Sequence, residues 1–270
     1  MTRTDTSRLT TAMYSRRLPG AARLLVAGAL ASALSWLGGC ASLRDPGSPS
    51  DATAGHTPIE AFGVQWREQR LPTKAATVYR AEQRQGREAI AASAQASASL
   101  LRHHVRVEPA DLGQLRLSWL VERLIADADM ASRELDDSPV RVVLAFDGDR
   151  SRFSPRDAAA SELSQLLTGE PLPYATLMYV WCNKRPAGTV IEGPRTTRIR
   201  KIVLESGPQG LGRWQDYERD VRADYERAFG EPAGALVGVA LMTDTDNTRS
   251  RARAWYGALQ WLPPKAGGTR

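Results

Sequence analysis

The stretch Leu115–Glu122, LRLSWLVE, sets the fold class. Leu115, Leu117, Trp119 and Val121 fall on one side of an extended chain, and Arg116, Ser118 and Glu122 on the other. Successive strand side chains point to opposite faces, so a period of two marks a half-buried strand. The rhythm recurs along the chain. VRVVLAFDGD (140–149) puts Val140, Val142, Leu144 and Phe146 on one face. TRIRKIVLESG (197–207) sets Ile199, Lys201 and Val203 against Arg200, Ile202 and Leu204, so neither side is wholly apolar. TVYRA (77–81), YATLMYVW (174–181), GALVGVALMTD (234–244) and ARAWYGALQWL (252–262) are further strand candidates, the last expected as one strand. REAIAASAQASASLLRHHVRV (87–107) reads as one or two strands, although its alanines favour helix by propensity.

Two segments break the pattern. SPRDAAASELSQLLTG (154–169) has Ser154 as cap, Pro155 at the first helical position, Asp157 three residues after the cap and Gly169 as stop. RWQDYERDVRADYERAFG (213–230) repeats Trp214, Tyr217, Val221, Tyr225 and Ala228 at helical spacing and ends at Gly230, so one helix is expected over the whole segment. Eight or so strands with two helices do not alternate as a βαβ fold would. The expected architecture is mainly β: an antiparallel two-sheet sandwich, jelly-roll and carbohydrate-binding-module-like, with two inserted helices. An α+β single-sheet fold is the alternative.

The N-terminus carries an export signature. Arg3, Arg8, Arg16, Arg17 and Arg23 precede the apolar run LLVAGALASALSWLGGC, which is short for a membrane span. It closes on Leu37, Gly38, Gly39 and Cys40 and resembles a bacterial lipoprotein signal, which is cut before a cysteine that then receives acyl chains. Several chains hold a protein that one would hold weakly. Residues 1–39 are thus expected to be signal peptide and 40–60 the lipidated Cys40 with a flexible tether. Residues 61–263 would form one β-rich domain and 264–270 a disordered tail. Ala41 after the cysteine, where aspartate would favour inner-membrane retention, points to the periplasmic side of the outer membrane, with the inner membrane as alternative.

Removing the leader takes away five Arg and one Asp, and the formal charge falls from +6 to +2. Basicity therefore belongs mostly to export, and with no stripe of basic residues interleaved with aromatics a nucleic-acid partner is not expected. Cys182 is the only cysteine besides Cys40, so no disulfide within the domain is expected and Cys182 reads as a small buried hydrophobe.

FGVQWREQRLPTKAATVYR, LSWLVERLIADAD, DDSPVRVVLAFDGD, LMYVWCNK and VALMTDTDNTRSRARAWYGALQW together resemble a bacterial family of secreted proteins, domain-of-unknown-function family 3047 (DUF3047). The resemblance runs from Phe62 to Trp261 and rests on Trp119, the pair Asp136–Asp137, Tyr179 to Trp181, and Thr243 to Thr248. It implies a domain and a compartment, with a sandwich similar to carbohydrate-binding modules. It implies no reaction.

TDTDNT (243–248) brings Asp244, Asp246 and Asn247 to a strand end, where calcium would accept carboxylate and amide oxygens. Asp147 and Asp149, also two residues apart, are candidate ligands from a neighbouring strand end, as is the pair Asp136–Asp137. The distal glutamate of a calcium loop is missing, and capping of a turn explains the same residues. No other cofactor is indicated: three histidines without ligand spacing do not make a zinc site. No nucleophile elbow or phosphate-cradling glycine loop is present. Trp119, Tyr179, Trp181 and Trp255 are candidates for a sugar-stacking surface, against the plainer reading that each packs in the core. The expected function is a non-catalytic envelope lipoprotein domain, tied to the membrane by its lipid and binding a glycan or another envelope component. The alternatives are a carboxylate-dependent glycan hydrolase and a structural scaffold that contacts envelope proteins.

Overall fold

A computed structural model describes residues 58–264. Cys40, the leader, most of the tether and the last six residues lie outside the described residues. Among the described residues no helix is long and apolar enough to cross a membrane.

The described residues form fourteen strands and two α-helices. In order these are β1 (Ile59–Ala61), β2 (Val64–Arg70), β3 (Val78–Arg84), β4 (Arg87–Gln95), β5 (Ser99–Val107), β6 (Gln114–Val121), β7 (Ser138–Phe146), α1 (Pro155–Thr168), β8 (Ala175–Cys182), β9 (Val190–Glu192), β10 (Ile199–Ser206), β11 (Trp214–Asp220), α2 (Val221–Phe229), β12 (Leu236–Asp244), β13 (Arg251–Tyr256) and β14 (Gln260–Leu262). They build two sheets, which excludes the single-sheet alternative. The larger has the order β1-β2-β5-β12-β7-β8-β10-β9; the smaller runs β11-β6-β13-β4-β3, with β14 also on β6. Pairing is antiparallel except between β8 and β10, which run parallel because β9 and its loops carry the chain back before β10 begins.

Alternation decides which side chains meet between the sheets. Leu115, Leu117, Trp119 and Val121 of β6 and Val140, Val142, Leu144 and Phe146 of β7 are all in the central core, each at most 2% exposed. Burying each such side chain contributes roughly 1.5–3 kcal/mol before entropy is counted. From β4, Ile90 and Ala92 face the same core. The alanine-rich stretch is a strand because β3 and β13 pair with it on both sides, so tertiary context overrides helix propensity. The chain turns between β4 and β5 at Ala96, whose φ is 46°. ARAWYGALQWL is two strands, β13 and β14, not one.

Helix α1 has the expected boundaries: the Ser154 hydroxyl accepts from the Asp157 N–H, and Gly169 closes the helix at φ 77°. The second helix is shorter than expected. Trp214–Asp220 is strand β11, paired residue for residue with β6 from Leu120 to Gln114. Asp220 then caps α2 by accepting from the Ala223 N–H, and Gly230 ends it at φ 69°. Trp214, Asp216 and Glu218 alternate with Gln215, Tyr217 and Arg219, and pairing with β6 selects that period. Tyr217 packs on Trp119 with ring centroids 5.3 Å apart.

Candidate functional site

Strands β7 and β12 are antiparallel, with Ser138 opposite Asp244 and Phe146 opposite Leu236. That register places the loop before β7 beside the loop after β12, and an acidic corner forms there. Carboxylate oxygens of Asp137, Asp244 and Asp246 lie within 4.8 Å of one another. Asp137 is 1% exposed and Asp244 3%.

Each carboxylate of this corner has protein donors. Asp137 accepts from the Asn247 N–H at 3.2 Å, the Thr248 N–H at 2.7 Å and the Thr248 hydroxyl at 2.7 Å. Asp244 accepts from the Ser138 N–H at 3.1 Å and from Arg141. Asp246 pairs with the Lys74 ammonium. Asn247 donates its amide to the Arg133 carbonyl at 3.0 Å. Beneath them the buried Lys201 ammonium lies 2.7 Å from both oxygens of Asp136 and 2.8 Å from the Met130 carbonyl. Four carboxylates thus face three cations, Lys74, Arg141 and Lys201.

Burial acts on all of these groups. It pushes the Asp244 carboxyl up to about 6 against the pull of Arg141, so the group remains ionised at neutral pH. Burial also works against the charge of Asp136, but Arg141 and Lys201 together hold it below the usual carboxylate range. Lys201 is pushed down to about 8, by burial first and then by the Arg141 charge. The corner is a buried carboxylate cluster whose oxygens suit a hard divalent cation such as calcium. A cation there would share those oxygens with backbone N–H groups and displace Lys74 from Asp246.

Asp147 and Asp149 do not join it. They leave β7 at the Phe146 end, and nine residues of strand span about 30 Å at ~3.4 Å per residue. Asp147 accepts from the Gly148 N–H at 2.9 Å and Asp149 from the Ser151 N–H at 3.0 Å, so both hold a turn. Asp136, Asp137, Lys74, Arg141 and Lys201 complete the corner from distant strands and loops.

Trp119, Tyr179, Trp181 and Trp255 are each 0% exposed. Trp119, Tyr179 and Trp181 point between the sheets; the Tyr179 hydroxyl donates to Asp224 at 2.9 Å and the Trp181 N–H to the Gly207 carbonyl at 3.0 Å. They form no stacking platform, because alternation turns them into the core. Trp255 differs. It sits on the outer side of the smaller sheet with Leu120, Ala89, Ala91 and the partly buried Trp214. Its cover is side chain: the Arg84 guanidinium lies 4.0 Å from the ring centroid and that of Arg253 4.8 Å, while its N–H donates to Glu82 at 2.6 Å. The Arg87 guanidinium lies over Trp214 at 5.3 Å. Trp214, Arg84, Arg87 and Arg253 escape a sequence reading, because only the pairing of β11 with β6 brings Trp214 to this face.

Further along β11 from Trp214 is a hollow of ≈ 390 Å³ lined by Arg116, Ser118, Asp216, Glu218 and Gln260 among others. Arg87 holds Asp216 at 2.6 Å and Arg116 holds Glu218 at 2.8 Å.

Residues 64–260 match a family model described as "Protein of unknown function (DUF3047)". The chain belongs to the DUF3047 family. This confirms the resemblance of the sequence and extends through both sheets, so the acidic corner and the outer tryptophan pair lie within the family domain. Comparison with curated proteins finds no match. Among solved structures, the chain is similar to the xyloglucanase domain of NopAA, a type three effector from Sinorhizobium fredii, in complex with cellobiose. Identity is 9%, the TM-score is 0.40, and the match covers 78% of this DUF3047 chain and 100% of the other.

Proposed function

We propose that this DUF3047 protein is an envelope lipoprotein whose domain binds a glycan on the outer face of its smaller sheet. One observation carries the reading: Trp214 and Trp255 are neighbours on the outer face of the smaller sheet, and arginines rim them. Sugar rings stack on aromatic faces, and arginines and acids at the rim supply directed hydrogen bonds. Arg84 and Arg253 lie over the Trp255 ring. Arg253 is exposed, and an exposed cation–π contact is worth only about 0.5–1 kcal/mol, so a ligand can displace it at small cost. In this reading Cys40 carries the lipid, the domain sits in the periplasm at the outer membrane, and no cofactor is needed for binding. Calcium, if held, would brace the acidic corner.

Affinity electrophoresis through gels containing peptidoglycan fragments, acidic polysaccharides or neutral β-glucans tests the proposal. The wild-type chain should be retarded by at least one polymer, and Trp214→Ala should abolish the retardation with the fold intact by circular dichroism. Equal mobility of both proteins in every gel would refute it.

A hydrolase is the second reading, favoured by Asp216 and Glu218. They stand two residues apart on the outer side of β11 and line the hollow further along the strand from Trp214. Glycoside hydrolysis uses two carboxylates flanking the scissile bond. Release of reducing ends from a retarded polymer, lost in both Asp216→Asn and Glu218→Gln, would select it over binding alone.

A further inference from the structure

Helix α1 is built inside out. A surface helix normally buries its apolar stripe. This one buries Asp157 and Ser161 and leaves Leu163 55%, Leu166 83% and Leu167 61% exposed. Leu172, just beyond it, is 38% exposed. These four are among only six large apolar side chains exposed in the described residues, and all four fall within residues 163–172. Spacings of three and four residues put Leu163, Leu166 and Leu167 on one helix face. Exposed Arg156 begins the same face one heptad earlier.

Leu167 borders a hollow of net positive charge, in which Arg70 pairs with Glu68 and Arg102 with Glu170 while Arg67 adds a third cation. Leu167 lines a cavity of ≈ 480 Å³ together with Leu71, Arg67, Arg70, Arg102 and His104; Glu68 and Glu170 also contribute. Arg102 reaches Glu170 at 2.6 Å, which ties the end of α1 to the outer face of β5. Apolar side chains flanked by arginines match the two layers of an anionic lipid surface: acyl chains take the leucines, and phosphates take the guanidinium groups.

We infer that the α1 side of the larger sheet is the face on which this protein rests on an anionic bilayer. Neither observation depends on the lipid-anchor reading. The outer face of the smaller sheet, with Trp214 and Trp255, then points away from the lipid and toward the polymer proposed above.

The test uses the full chain, purified from membranes and returned to vesicles of phosphatidylglycerol and phosphatidylethanolamine. An environment-sensitive dye is placed at Leu166→Cys or, on the opposite face, at Arg251→Cys. The parent chain, labelled in parallel, reports any signal from Cys40. Lipids brominated in their acyl chains should quench the dye at position 166 and leave that at 251 unchanged. Arg67→Glu combined with Arg70→Glu should restore most of the lost emission, as should vesicles of neutral lipid. No quenching at 166, or equal quenching at both positions, would overturn the inference. Mass spectrometry of the same preparation reads Cys40 separately, so a failed anchor and a wrong face give different results.

Discussion

Arg141 of β7 clamps Asp244 of β12 with two hydrogen bonds, Nε to Oδ1 at 2.9 Å and Nη2 to Oδ2 at 2.9 Å, and both residues are 3% exposed. Two parallel bonds from a planar guanidinium make the strongest form of this pair. Removing Arg141 leaves the buried Asp244 without a counter-ion, which costs about 3–5 kcal/mol. Arg141→Met should therefore lower stability by that order in urea denaturation, and Asp244→Asn by less, because Arg141 keeps its pair with Asp136. The double variant Arg141→Met with Asp244→Asn should be less destabilised than the sum. Strict additivity would show that the two side chains do not act as a pair.

The neighbouring contact of Lys74 with Asp246 is more exposed, at 36% and 11% of the side chains, and should matter less. Asp246→Ala is expected to lower Tm by a few degrees, since about 1 kcal/mol corresponds to roughly 2–4 °C in a domain of this size. If the corner holds calcium, millimolar calcium should raise the wild-type Tm, because a ligand that binds only the folded state stabilises it. It should do much less for Asp246→Ala. A wild-type Tm indifferent to calcium would leave the corner as a hydrogen-bonded turn.

Lys201 gives a test in pH. Its folded-state value is about 8, below the roughly 10.4 of an unfolded chain. Below pH 8 both states hold the proton. Between the two values the unfolded state binds more protons, so this group makes stability rise with pH. The Tm difference between wild type and Lys201→Met should move in favour of the wild type from pH 7 to pH 10. A difference that stays constant would mean that Lys201 keeps its proton throughout.

Cys182 is 2% exposed among Met130, Val180, Ile191 and Val203, and its sulfur accepts from the Arg185 N–H at 3.4 Å. His103 and His104 lie on β5, separated from β8 by β12 and β7, so neither can act on the thiol as a base. Maleimide should not label Cys182 in the folded protein and should label it once urea unfolds the chain. Rapid labelling without urea would contradict this burial.

Strands β3 to β8, β10, β12 and β13, the first helix with its caps, and the grouping of polar residues at the end of β12 were legible in the amino-acid sequence. Each depends on neighbours along the chain: alternation for Leu115 to Val121, a serine, a proline and a glycine at fixed positions around α1, and an apolar strand running into TDTDNT. The segment 213–230 shows where local reading fails. Its aromatic spacing fits a helix, while its alternation over Trp214–Asp220 fits a strand equally well, and only β6 lying alongside decides. The acidic corner needed the antiparallel register of β7 and β12. That register brings Asp137 and Arg141 to Asp244 and carries Asp147 and Asp149 to the far end. The aromatic residues divide for the same reason. Trp119, Tyr179, Trp181 and Trp255 all lie in alternating strands, and sequence alone cannot say which side of a sheet becomes the core. Local periodicity is written residue by residue, whereas pairing, register and the choice of buried face follow from long-range contacts whose partners are more than a hundred residues apart, as Arg141 and Asp244 are.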